Sequence, residues 1–115
     1  GIDYNPTIHQ LTFQPRLSSA EIKSFFITHS SWGQIHLQRT EKNVRCNISV
    51  RYGELNFQSL LINISNSQTL EKCRLTVDQQ EPKDVSVSTK GTEITIQIPE
   101  IWVIKEGSKL QIELE

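Results

Sequence analysis

Short runs in which apolar and polar residues alternate recur along this chain, and a period of two commits a sequence to strands with one dry and one wet face. Val44, Cys46, Ile48 and Val50 alternate with Arg45, Asn47, Ser49 and Arg51. Cys73, Leu75 and Val77 alternate with Lys72, Arg74, Thr76 and Asp78, and Ile94, Ile96 and Ile98 with Glu93, Thr95 and Gln97. Leu110, Ile112 and Leu114 repeat the pattern at the C-terminus against Lys109, Gln111, Glu113 and Glu115. Further strands are expected over Ile8 to Phe13, Ile22 to His29, Gln34 to Arg39, Glu54 to Ser65, Asp84 to Ser88 and Ile101 to Ile104. Amphipathic strands bury their dry faces most simply by stacking two sheets face to face. The expected fold is therefore all-β, a two-sheet antiparallel β-sandwich of about eight to ten strands.

Within Glu54 to Ser65 the apolar phase slips by one residue between Leu55/Phe57 and Leu60/Ile62/Ile64. A slip of that kind predicts a β-bulge near Ser59. Turns are expected at Glu41-Lys42-Asn43, Tyr52-Gly53, Asn66-Ser67-Gln68, Gln79 to Lys83, Lys90-Gly91 and Glu106-Gly107. Ser18 stands three residues before Glu21 in the capping-box spacing, which predicts one helical turn over Ser18 to Lys23 leading into a strand.

With 115 residues, the chain matches one domain with one core, and no repeat, low-complexity tract or linker divides residues 1–115. Hydrophobic residues at 36% and charged residues at 22% exclude both disorder and a membrane-spanning composition. Twelve basic against thirteen acidic residues leave a formal charge of -1, without the positive field that nucleic acid or an anionic lipid surface requires. Neither nucleic-acid binding nor membrane insertion is expected. The chain opens Gly1-Ile2-Asp3-Tyr4 and holds no Met, which predicts a domain excised from a longer polypeptide.

No catalytic, cofactor-binding or metal-binding constellation is expected. His9, His29 and His36 lack zinc-site spacing and read as strand-surface or satisfied core histidines. The acids are scattered, whereas glycosidase chemistry needs two carboxyls held at a fixed separation. Cys46 and Cys73 both fall on the dry phase; buried free thiols are the leading reading, with a disulfide left open because geometry decides it. The immunoglobulin arrangement fails because Trp32 precedes both cysteines and Trp102 follows both. Asn47-Ile48-Ser49 and Asn63-Ile64-Ser65 are glycosylation acceptor sequences with Asn on or near a wet face.

The most distinctive segment is Phe25-Phe26-Ile27-Thr28-His29-Ser30-Ser31-Trp32-Gly33, which sets a large aromatic beside the glycine of an expected turn. An exposed Trp32 would stack on a sugar ring, with His29 or Gln34 supplying hydrogen bonds. A Trp that plugs one end of the fold or docks a neighbouring domain accounts for the same residues.

Gly1-Ile2-Asp3-Tyr4-Asn5-Pro6, Leu11-Thr12-Phe13-Gln14-Pro15-Arg16-Leu17, Phe25-Phe26 and Trp32-Gly33 together resemble a known pattern. It is the β-rich segment that follows the helical catalytic domain in some bacterial glycoside hydrolases of the β-glucosidase and glucosylceramidase type. Val50-Arg51-Tyr52-Gly53-Glu54-Leu55 and Ile104-Lys105-Glu106-Gly107-Ser108-Lys109-Leu110 are similar in kind to the same segment. The resemblance implies a non-catalytic accessory domain that packs on or assists a catalytic domain of the same polypeptide, with Gly1 to Pro6 as the strand arriving from it. No catalytic residue carries over. The expected function is thus an accessory module of a carbohydrate-active enzyme. A cell-surface adhesion-type sandwich and an autonomous carbohydrate-binding module are the alternatives.

Overall fold

The computed structural model describes residues 2–13, 21–40, 43–63, 72–90 and 93–115. Ten strands carry the chain: β1 (Ile2–Asn5), β2 (Gln10–Phe13), β3 (Glu21–Ile27), β4 (Ser31–Arg39), β5 (Val44–Gly53), β6 (Leu55–Asn63), β7 (Cys73–Val77), β8 (Lys83–Lys90), β9 (Glu93–Ile104) and β10 (Lys109–Leu114). The all-β class is as expected. Among the described residues no helix is long and apolar enough to cross a membrane.

Hydrogen bonding runs through the ladder in the order β1-β2-β6-β9-β8-β7-β10-β5-β4-β3. Pairing is antiparallel except between β2 and β6, which run parallel, so the sheet is mixed. The two ladder ends, β1 and β3, lie against each other, and the sheet is nearly closed into a barrel. β8 makes the curvature possible: its first residues, Lys83 to Val85, pair with β7, and Ser86 to Lys90 pair with β9. Curling brings every dry face inward, and the interior is a single cluster that includes Phe13, Phe26, Ile35, Ile48, Phe57 and Ile112.

The bulge predicted near Ser59 is present. Phe57 pairs with Trp102 and Ser59 with Gln97, so Ile98 to Ile101 of β9 stand opposite Gln58 alone. This unpaired stretch accommodates Pro99, which has no N–H to give a ladder. The runs expected as separate strands at Ile94 to Ile98 and Ile101 to Ile104 are consequently one strand interrupted by the bulge. The orphaned donors find another acceptor: the His9 carbonyl receives the N–H of Gln58 at 2.9 Å and of Ser59 at 3.3 Å. His9 holds φ at 51° to present it, and β2 accordingly begins at Gln10 rather than Ile8.

A side-chain chain secures the same corner. The Tyr4 hydroxyl donates to the Asn56 carbonyl at 2.7 Å and lies 3.1 Å from His9 Nδ1. With its one proton committed, the hydroxyl can only accept from His9, so Nδ1 carries the proton. Burial raises the Tyr4 pKa, which keeps that donor in place. Tyr4→Phe is expected to cost about 1–2 kcal/mol, by leaving Nδ1–H and a carbonyl short of a partner. Urea titration monitored by circular dichroism measures it.

Two further expectations meet the structure differently. Gly53 and Gly107 take φ of 75° and 85° at the turns assigned to them. The helical turn over Ser18 to Lys23 falls partly outside the described residues, and Glu21 to Lys23 already belong to β3. The turns at Glu41-Lys42-Asn43, Asn66-Ser67-Gln68 and Lys90-Gly91 also lie wholly or partly outside the described residues.

Cys46 and Cys73 are free and buried. β10 runs between their strands, pairing Ile112 with Cys46 and Leu114 with Cys73. Two interstrand spacings of about 4.8 Å already exceed the Cα separation a disulfide spans. Burial pushes both thiols up to about 12, with the Asp84 carboxylate adding to the shift at Cys73. Below pH 9.0 both the folded and the unfolded chain keep these protons. Above it the unfolded chain releases them first, so stability falls as pH rises from 9.0 toward about 12. The Cys46→Ala/Cys73→Ala variant is expected to show a shallower alkaline decline in melting temperature, starting from a lower value.

Candidate aromatic face on β3, β4 and β5

Alternation on β3 and β4 turns Lys23, Phe25 and Ile27 outward together with Trp32, Gln34 and His36. The register lines these residues up: Ile27 opposite Trp32, Phe25 opposite Gln34, Lys23 opposite His36. On β5 the neighbours of Trp32, Gln34 and His36 are Tyr52, Ser49 and Asn47. The result is a row, Ile27-Trp32-Tyr52, crossing three strands, with Phe25 two residues along β3 on the same face. Their exposures are 77%, 46%, 59% and 62% respectively. Scattered exposed apolar residues are ordinary, whereas these four are adjacent, three of them rings, and form one apolar patch.

Tyr52 reaches this face because the ladder slips. Trp32 pairs with Tyr52 but Gly33 pairs with Val50, which makes Arg51 the extra residue of a β-bulge. Val50 is buried, and strict alternation would bury Tyr52 two residues later; the inserted residue turns the ring outward instead. Arg51 donates from Nη2 to Gln34 Oε1 at 3.0 Å, tying the bulge to β4.

Gly33 does not sit in a turn, contrary to the sequence expectation. It lies inside β4, where the Phe26 ring packs over it; a Cβ there would stand 2.8 Å from Phe26 Cε1 and Cζ and would run into the Ser49 carbonyl oxygen. A glycine within a strand that allows such a close approach leaves room for a ring, not for a reversal of the chain. The reversal is made by Thr28 to Ser30. Thr28 N–H donates to the Ser31 carbonyl, and Thr28 Oγ1 accepts from the N–H of Ser30 and Ser31.

Of the three residues singled out from sequence, the structure brings Trp32 and Gln34 onto one face and leaves His29 exposed in the turn joining β3 to β4. Trp32 stands outside the core cluster, with its side chain exposed. The packing role belongs to Trp102, which lies against the core with Lys83 Nζ 5.4 Å from its ring centroid. Phe25, Ile27 and Tyr52 complete the surface. The signal for Tyr52 was the apolar phase running Val50-Tyr52 through an Arg, which reads as burial unless the bulge is known.

Beside the row, toward the middle of the sheet, runs a groove of about 420 Å³ bounded by Lys23, Phe25, Gln34, Arg51 and Lys109. His36 on its wall bonds Glu21 through Nε2 at 2.7 Å. Asn47, half-buried, lies on the groove's lining, and Asn63 is half-buried at the end of β6 with Ile64 and Ser65 of its sequon outside the described residues. Among the described residues, no three His, Cys, Asp or Glu side chains group to hold a metal ion. No family model matches the chain, and no curated protein matches it.

Proposed function

We propose that this chain is a non-catalytic accessory module of a carbohydrate-active enzyme. In this reading it is a two-layer β-sandwich in which the β1-β2-β6-β9 half packs face to face on the β10-β5-β4-β3 half, and the outer face of β3, β4 and β5 holds sugar. The row Ile27-Trp32-Tyr52 with Phe25 carries the proposal. A pyranose presents a face of C–H groups, apolar and slightly positive, which complements the negative face of an aromatic ring. Gln34 and Ser49 stand one pairing step away, on the same face, as hydrogen-bonding groups for the hydroxyls around the ring edge. Polar groups few in number beside apolar surface are the usual make-up of a small-molecule site.

Ile27 favours a second reading. It is the most exposed large apolar side chain among the described residues and has no ring to stack, and a side chain of that kind suits docking on a neighbouring catalytic domain.

Affinity electrophoresis through gels containing neutral or acidic polysaccharides separates the two. Sugar holding predicts retardation by at least one polysaccharide, weakened about tenfold by Trp32→Ala, the worth of one aromatic contact, and little changed by Ile27→Ala. Hydrolysis of aryl glycosides by the purified chain would overturn the non-catalytic assignment. Migration unaffected by any polysaccharide would leave the docking reading in its place.

A further inference from the structure

The groove beside the aromatic row differs from the rest of the surface in its charge. Lys23 on β3, Arg51 on β5 and Lys109 on β10 all border it, and no carboxylate does. The chain as a whole has a formal charge of -1, so this face gathers cations that the composition does not predict. The cavity beside Cys73 is different: it sets Lys72 and Arg74 against Asp84, Glu113 and Glu115, so carboxylates outnumber cations there.

The acids nearest the groove are occupied or peripheral. Glu21 bonds His36 and stands 4.0 Å from Lys23 Nζ. Asp78 accepts the backbone N–H of Lys109, and Glu106 accepts that of Gly53. Among the described residues no carboxylate lies within ion-pair distance of Arg51, whose guanidinium spends one N–H on Gln34. A guanidinium oriented in this way keeps donors for a two-point bond to a planar oxyanion.

The arrangement also has length. β3, β4, β5 and β10 are consecutive in the ladder, so Lys23 and Lys109 stand three strand spacings apart, about 14 Å across the sheet. Lys109 lies in the row of Ser49, Gln34 and Phe25, Lys23 in the adjoining row of His36 and Asn47, and Arg51 two residues past Ser49 on the opposite side. Three cations spread around a groove flanked by rings suit a chain of sugar units that carry several anions better than a single charged group.

We infer that the β3–β5 face, granted the sugar-holding reading above on which this rests, takes an acidic oligosaccharide, with uronate carboxylates on Arg51, Lys23 and Lys109 and sugar rings on Trp32 and Tyr52. The cations select for the acidic polymer and the rings contribute to any glycan.

Titration of the full chain, followed by tryptophan fluorescence, tests this with an oligogalacturonate, its fully methyl-esterified counterpart, a sulfated oligosaccharide and poly-glutamate. The oligogalacturonate is expected to bind about tenfold or more tightly than the ester, with affinity falling as salt rises. Arg51→Gln/Lys109→Gln is expected to remove that preference, about a tenfold loss for the uronate and little change for the ester, with circular dichroism confirming a retained fold. Equal binding of uronate and ester overturns the acidic assignment and leaves sugar holding intact. Tighter binding of the sulfated probe than of the uronate overturns the carboxylate in favour of sulfate, and poly-glutamate binding as well as the uronate reduces the face to general anion attraction and overturns both. Loss of every glycan interaction in the unsubstituted chain overturns the sugar-holding reading itself.

Discussion

Gly33→Val is expected to be the most damaging single substitution on the β3–β4–β5 face, lowering stability by about 3 kcal/mol or more. The new Cβ would meet the Ser49 carbonyl, which is backbone in the neighbouring strand, and would stand 2.8 Å from the Phe26 ring. A flexible side-chain tip would move aside cheaply; a ladder carbonyl and a buried ring do not. The chain would have to open β4 from β5 or expel Phe26 from the core, and either change undoes the bulge that presents Tyr52. A domain of this size loses several degrees of melting temperature per kcal/mol, so calorimetry should record a fall of about 10 °C or more. Gly107→Ala supplies the contrast. A Cβ there would meet nothing within 4 Å, and only the φ of 85° resists a side chain, at a cost of about 1 kcal/mol. Equal losses for the two variants would contradict the close approach at Gly33.

Phe57→Ala is expected to cost about 3–5 kcal/mol, the range for emptying a fully buried aromatic site. Phe57 is 0% exposed and pairs with Trp102 at the last register before the β6–β9 bulge. Its loss removes packing where the β6–β9 ladder is interrupted, and the backbone there is already committed to the His9 carbonyl. The cavity therefore cannot close by sliding β6 along β9 without breaking those bonds. Denaturant unfolding with an unchanged m-value and a lowered midpoint is the expected result.

These two sites also show what alternation reveals and what it hides. Val44-Cys46-Ile48-Val50 and Leu110-Ile112-Leu114 are buried at every expected position, because the phase of a half-buried strand is written in consecutive residues. The bulge near Ser59 was legible for the same reason: a slip of apolar phase leaves a trace in sequence. The second bulge, at Arg51, left none. Val50 and Tyr52 keep the apolar phase across it, so only the pairing with β4 discloses that the ring has turned to water. Gly33 misled because glycine marks both turns and close approaches, and the ring that needs the space, Phe26, lies on another strand. Strand order was not written locally at all. The parallel β2–β6 pair and the β10–β5 pair join segments far apart in the chain, and no periodicity encodes which strands meet.

Placement of the site follows the same division. Trp32 and Gln34 share a face because they are two residues apart in one strand, which sequence shows. Their company is a matter of register: Ile27 and Tyr52 come from strands on either side, and Lys109 from a fourth strand more than fifty positions after Arg51. The same register decides the cysteines, since β10 inserted between β5 and β7 keeps them apart.

Amide and indole chemical-shift mapping during titration with a retained oligosaccharide puts the binding face to the most direct test. The largest changes are expected at Phe25, Ile27, Tyr52 and the Trp32 indole N–H, with the Trp102 indole unmoved. Changes centred on Trp102 or on the cavity beside Cys73, with the Trp32 signal stationary, would contradict it.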